Sequence, residues 1–427
     1  MRTLMLVVFL AQQKPPADVD QGRVDEAIKR GVAWLKTSAK SPGYGKNLNC
    51  DELILLTLLH AGLGDDDPKV KELLDRVLAC KLERTYNVSL LAVALEELDR
   101  VKYQGRIAQC AQFLVDNQCP SGQWSYGTPS PFALPVETPA RKAVASGEGK
   151  TVAPKPEVFR KKPPVQNFIK VEKKREGEGA GDNSNSQYAA LGIRACHDSG
   201  IVFPKQVLER ALDGWKKLQI QDPRALVEPL GVGGDPVKDM LQRQAGSKPQ
   251  PSKTLFRLAA KPQGWGYDRQ YSASPWGSMT AGAVASVCIY YYCLDNDRGV
   301  KQSWKTAKEV LEGLQWLSKK FSVDYNPGTY AGNADWTDKR VRYFYYLYAV
   351  ERVGMLYGTE WIGQNNKWYP IGANRILSEQ HPDGSWFQQP LPDDETTREW
   401  DTCWAILFLK RATRPLTDVA SVDRMTK

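Results

Sequence analysis

The stretch ILSEQHPDGSW at Ile376–Trp386, followed at Asp401–Lys410 by DTCWAILFLK, decides the fold. A segment with apolar residues at helical spacing ends in a Gln-x3-Gly-x-Trp string, and an almost wholly apolar segment follows. This is the pattern of a half-exposed helix joined to a buried one. The string recurs at Gln118–Trp124 (QCPSGQW), with Ile107–Val115 before it and SQYAALGIRAC from Ser186 after a long interval. Weaker forms stand at Gly264-Trp265 and Gly43-Tyr44. Glycine permits a tight turn, a glutamine amide can bind backbone groups, and tryptophan offers a large face to pack between helices.

Six such units follow one another. They are Val24–Gly62, Val70–Leu98, Ile107–Val115 with the helix from Ser186, Val207 with Ser278–Leu294, Thr306–Phe321 with Tyr343–Tyr357, and Ile371–Glu379 with Asp401–Ala412. Four second helices carry a hydroxyl and then alanine three residues on (Ser89/Ala92, Ser186/Ala189, Thr280/Ala283, Thr402/Ala405), small residues that allow close helix approach. Helical hairpins whose second members are the more apolar predict an all-α fold. The expected architecture is a closed double ring, an α/α toroid of about six hairpins with the apolar helices inside, as one domain over residues 22–413. The uncharged 18-residue run Gly277–Leu294 contains Ser, Thr and Gly and occupies a second-helix place. It is assigned to the inner ring, so no transmembrane helix is expected in the mature chain.

The chain has 427 residues, 58 Lys/Arg and 49 Asp/Glu, a formal charge of +9. Residues 137–182 carry a net +4 and residues 237–262 a net +5, so the rest of the chain is neutral. The inserts at 127–182 and 235–262 are rich in polar residues and read as solvated loops. Without interleaved aromatics they make no base-stacking platform, which argues against nucleic acid and leaves an acidic surface, lipid headgroups or a protein partner. Met1-Arg2-Thr3, the apolar LMLVVFLA and a polar exit predict a secretory leader and short linker over residues 1–21, hence export to a periplasmic or extracellular space. Residues 414–427 read as a tail. Eight scattered cysteines without C-x-x-C spacing read mainly as buried thiols.

The two full strings resemble the QW repeats of squalene and oxidosqualene cyclases. The wider pattern resembles the α/α-toroid superfamily that also contains protein prenyltransferase β-subunits, over roughly residues 22–413. The resemblance implies that Gln118, Gly122, Trp124, Gln380, Gly384 and Trp386 are structural ties. It also implies that a cyclase acid would stand in a D-x-D-D string at an inner-helix start, where this chain reads Arg398-Glu399-Trp400-Asp401-Thr402 and keeps only the last aspartate. The prenyltransferase zinc pattern is imitated by Asp401-x-Cys403, but His381 lies in the Gln-x3-Gly-x-Trp string and not where that family has its ligand. No metal or other cofactor is expected. Of the other acidic clusters, Asp65–Asp67 reads as a helix cap, Asp295-x-Asp297 is followed by Arg298, and Asp393–Glu395 lacks diphosphate-site spacing.

Inner-helix starts nominate Tyr188, Trp276, Met279, Tyr345, Trp400 and Trp404 as ligand-pocket residues, with Asp401 as the one candidate acid; the competing reading is core packing. The leading expectation is a non-catalytic protein that binds a hydrophobic ligand or a protein partner. Two alternatives stand beside it: an atypical isoprenoid cyclase or prenyl-handling enzyme using Asp401, and a glycan-active toroid enzyme, for which no carboxylate pair can be assigned.

Overall fold

The computed structural model describes residues 18–38, 50–131, 159–268, 274–298, 302–328, 342–388 and 398–416. The apolar leader, Gly43-Tyr44, Asp393–Glu395 and residues 417–427 of the tail lie outside them. The described chain is all-α in class, with thirteen helices and four short strands. The first helices of the hairpins are α1 (Gln21–Ser38), α3 (Pro68–Ala79), α5 (Gln104–Asp116), α7 (Lys205–Leu218), α10 (Lys308–Lys320) and α12 (Trp368–Ser378). The second helices are α2 (Asp51–His60), α4 (Thr85–Asp99), α6 (Asn183–Asp198), α9 (Gly277–Arg298), α11 (Tyr343–Tyr357) and α13 (Arg398–Lys410). The second insert adds α8 (Pro236–Gln244).

Contacts among the second helices run α2 to α4, α6, α9, α11 and α13, and α13 returns to pack on α2. Their composition explains the place they take. Every residue of α11 is buried, as are Asp51–Leu59 of α2, whereas α3 buries Val70, Leu73, Leu74 and Val77 on one face. Helices apolar all round have nowhere to go but the middle. One of them, Gly277–Asn296, is long and apolar enough to cross a membrane, and 94% of its apolar window is buried inside the protein. All eight cysteines are free thiols, six of them buried.

The Gln-x3-Gly-x-Trp strings act as repeated ties. The indole Nε1 of Trp124 donates to the Leu114 carbonyl and that of Trp386 to the Ile376 carbonyl, both at 2.8 Å, folding each loop back on its own outer helix. The tryptophan backbone N–H donates at 3.0 Å to a hydroxyl in the first turn of the inner helix: Ser186 for Trp124, Thr280 for Trp265, Thr402 for Trp386. Those hydroxyls, expected only to be small, are therefore specific acceptors. Ser89, whose unit has no tryptophan loop, has an unpartnered Oγ.

The glutamines reach the next outer helix. Nε2 of Gln118 donates to Val207 O (2.8 Å), that of Gln219 to Glu309 O (3.1 Å) and that of Gln380 to Ala27 O (2.8 Å). The last joins positions 353 residues apart and ties the final hairpin to α1. Gly122 and Gly384 take φ of +90° and +94°, and a Cβ there would stand 2.1 Å from Arg210 O and 2.7 Å from Arg30 O. Only glycine fits a left-handed backbone pressed against another helix.

The described parts of the inserts correct the expectation of solvated loops, while residues 132–158 of the first insert lie outside the described residues. Residues 159–182 descend alongside α5: Lys162 pairs with Glu96 and Glu97, Arg100 donates to Pro163 O, Gln104 to Asn167 O and Gln112 to Glu172 O. Lys173 Nζ then donates to the carbonyls of Val115 and Gln118 at the end of α5. Strand β1 (Ile169–Lys170) pairs in parallel with β2 (Ile201–Val202). Strand β3 (Glu228–Val232), just before the second insert, pairs antiparallel with β4 (Leu255–Ala260) inside it. The buried Asp239 of α8 binds Arg243 (2.8 Å), Arg411 (2.6 Å) and Lys367 (3.4 Å), fastening the insert to the ring. Basic residues that composition assigns to solvent here find carboxylates and helix-end carbonyls.

Gln380→Ala removes the α12–α1 tie and should cost about 1–2 kcal/mol in urea unfolding, with faster amide exchange in α1 than in α5. Gly384→Ala should cost about 1–3 kcal/mol through backbone strain. Unchanged α1 exchange in both variants would show that the tie is dispensable.

Candidate functional site

The inner-helix starts converge on one end of the ring, and there the aromatic residues pack on each other. Tyr86 meets Tyr188 with ring centroids 4.4 Å apart, Tyr188 stacks on Tyr345 at 6.2 Å and 7°, Tyr345 meets Trp404 at 5.1 Å, and Trp404 meets Trp400 at 5.8 Å. Of the nominated pocket residues, the structure thus brings Tyr188, Tyr345, Trp400 and Trp404 together. Trp276 and Met279 are buried at the start of α9, where the Trp276 N–H donates to Trp265 O.

A polar network threads the same rings. Ser184 Oγ bonds both the Tyr86 hydroxyl and, at 3.0 Å, the Tyr345 hydroxyl. Gln187 Nε2 donates to Tyr345 Oη at 2.6 Å, and its Oε1 accepts from Arg352 Nη2 at 2.6 Å. The Arg352 guanidinium lies 4.5 Å from the Tyr348 ring centroid and 5.7 Å from that of Tyr188. It is 1% exposed and forms no ion pair with a described residue, with the Glu351 carboxylate the acidic group that acts on it through space. Its charge is met by π faces and an amide oxygen. Gly282 of α9 makes room, since a Cβ there would stand 2.3 Å from Gln187 Oε1. With Tyr188 1%, Trp404 4% and Tyr345 5% exposed, these side chains fill the middle of the ring.

Asp401 lies in the first turn of α13, three residues after Arg398. Its Oδ2 accepts the Gln388 N–H at 3.1 Å, which holds the chain leaving Trp386 against α13, and the residue is 3% exposed. His381 sits within its string, its N–H donating to Ser385 O and its Nε2 3.1 Å from Phe387 O. Among the described residues no three His, Cys, Asp or Glu side chains gather as metal ligands. Asp67 is the N-cap of α3, accepting from the N–H groups of Lys69 and Val70; the cap expected at Asp65–Asp67 is therefore present.

Several buried ionisable groups have displaced affinities for protons. Desolvation raises Glu52, whose carboxylate accepts from Asn87 Nδ2 at 2.8 Å, from 4.5 to about 7. It likewise raises Glu351 to about 7 and the α6 cap Asp182 to about 6. At the far end of α2, desolvation pushes His60 down to about 4. Glu52, Asn87, Gln187 and Arg352 were not singled out from sequence. The signal was there in Arg352, a cation inside the apolar run YLYAVERVGML.

No protein-family profile and no curated protein matches this chain.

Glu52, held protonated when folded, releases its proton on unfolding between pH 4.5 and 7, so rising pH destabilises over that window. Glu351 acts in the same direction and His60 in the opposite one, its unfolded form taking up the extra proton between pH 4 and 6.5. Removing one destabilising contribution, Glu52→Gln should raise stability at pH 7.5 relative to pH 5, compared with wild type, by on the order of 2 kcal/mol. Urea unfolding at the two pH values measures this; parallel behaviour of variant and wild type would contradict it.

Proposed function

We propose that the protein is a non-catalytic helical-ring scaffold that acts by binding on its outer surface. The observation that carries this reading is the filled ring: Tyr86, Tyr188, Tyr345 and Trp404 occupy the space a substrate would need. Asp401 is engaged in holding the Gln388 loop. A carboxylate that donates protons to an alkene must be an unusually strong acid beside its substrate, whereas Asp401 is buried and accepts the Gln388 N–H. The likeness of the Gln-x3-Gly-x-Trp strings to QW repeats supports kinship in fold with the cyclase and prenyltransferase superfamily, and fold does not fix activity.

The surface that fits such a role is the two-stranded sheet of β3 and β4 with the segment leading into it. Leu226, Val227, Leu255 and Phe256 are 74%, 62%, 45% and 49% exposed, large apolar groups that a solvated surface does not need. The basic Lys253 and Arg257 stand exposed among them, Arg224 pairs with Asp222, and Glu228 pairs with Lys319. Apolar side chains set among cations match an anionic lipid surface, where the former enter the acyl boundary and the latter meet the headgroups. An exported protein with this patch would work as a peripheral scaffold.

The protein should float with vesicles of phosphatidylglycerol in phosphatidylcholine and not with phosphatidylcholine alone, and added salt should release it. Leu226→Ser with Phe256→Ser should weaken binding tenfold or more, because each buried side chain contributes about 1.5–3 kcal/mol. Binding that ignores both lipid charge and these substitutions would reject the lipid surface and favour a protein partner. Squalene and prenyl diphosphates should remain unchanged with wild type and with Asp401→Asn alike; turnover lost in the variant would overturn the non-catalytic reading.

A further inference from the structure

The opposite end of the ring, where the inner helices finish, holds a pocket between the two inserts. Its cavity volume is about 480 Å³. The wall is made by the end of α2 through Gly64, by Lys410–Ala412 at the end of α13, by Phe159 and Arg160 of the first insert and by Gln244 of the second. Neither insert is needed to close the ring, yet both are fastened at this end, by Lys162 on Glu96 and Glu97 and by Asp239 on Arg411.

The charges facing the pocket do not cancel. Glu97, the one buried carboxylate in the wall, already binds Lys162 at 2.7 Å and Arg414 at 3.3 Å, and these cations hold it well below the usual carboxylate range. Arg411 is taken by Asp239 and lies 3.8 Å from the centroid of the Tyr369 ring. His60, pushed down to about 4, is neutral. Asp66 stands exposed at the rim. Left over are Lys410 and Arg160, which form no ion pair or side-chain hydrogen bond with any described residue. The half-buried Lys410 ammonium is held below its ordinary value by desolvation, and only the more distant Asp25 opposes this. A cation left half out of water with no counter-charge is costly unless something supplies one. The carbonyl ends of α2 and α13 offer partial negative charge only, and they cannot bind an anion themselves.

We propose that this pocket binds a phosphate group, as a soluble phosphate ester or a lipid headgroup, with Lys410 as its inner cation and Arg160 closing on it from the rim. Against the exposed Asp66, these two cations leave the unpaired lining groups with one net positive charge, which suits an anionic group. An ammonium point charge and a guanidinium fork are the side chains that recognise phosphate oxygens. This site is independent of the exposed sheet of β3 and β4 and rests on other residues.

The test is calorimetric titration of the full chain with inorganic phosphate and with glycerol 3-phosphate, alongside flotation with phosphatidic acid vesicles against phosphatidylcholine. Saturable phosphate binding is expected, weakened about tenfold in Lys410→Gln, less in Arg160→Gln, and largely kept in Lys410→Arg. Lys410→Gln should melt at the same or a higher temperature than wild type, since it removes an unmatched buried charge. A lysine serving only structure would lower the melting temperature and leave no phosphate binding to lose. Binding of the soluble ligands alone identifies a phosphate ester, and selective binding of phosphatidic acid identifies a headgroup; both support the site. Leu226→Ser/Phe256→Ser should leave phosphate titration unchanged, so the pocket and the proposed lipid-facing sheet fail or stand separately. Absence of saturable binding to every phosphate probe, or equal binding by Lys410→Gln, overturns the proposal.

Discussion

The structure depends on one repeated bond, a glutamine amide at the foot of one outer helix donating to a carbonyl in the first two turns of the next. Gln118 reaches Val207, Gln219 reaches Glu309 and Gln380 reaches Ala27. Hydrophobic burial brings the apolar helices together but does not set how far round each hairpin sits from its neighbour. The amide does, because it acts over about 3 Å and in a fixed direction. The glycine of the same string presses the loop onto that neighbour, and the tryptophan fixes it to its own hairpin from above and below. One seven-residue string therefore specifies distance within a unit and between units.

This explains why so much of the fold is legible. All six hairpins fall within a few residues of where periodicity puts them, with α11 at Tyr343–Tyr357 as read. What periodicity cannot supply is a partner remote in sequence. The lysines of residues 159–178 look solvated until Glu96, Glu97 and the carbonyls of Val115 and Gln118 are beside them. In the second insert Arg243 likewise finds Asp239 and Asp18, while Lys238, Lys248, Lys253 and Arg257 stay exposed as composition suggests. Charge counts describe segments, whereas burial of charge is a property of pairs.

The candidate site was legible by address and not by content. Inner-helix starts nominate Tyr188, Tyr345, Trp400 and Trp404, and these four rings pack on one another in sequence. Whether gathered aromatics line a hole or fill it depends on a few side chains from other helices. Here Tyr86, Gln187 and Arg352 complete the stack. Arg352 is the informative member, since a guanidinium at the centre of a helical ring demands acceptors and π faces on several helices at once. That demand favours a single arrangement of the six.

The bond between Gln380 and Ala27 has a consequence for the order in which the molecule comes into being. In an open helical repeat array the first units can fold as soon as they are made, and a polar end cap shields them. Here α1 has no finished seat until α12 and α13 exist, near the end of a 427-residue chain. During synthesis the first hairpin therefore shows apolar faces that only the last can cover, and ring closure joins the most distant contacts of all. Such a topology folds slowly and leaves the nascent chain dependent on holding factors until its end arrives.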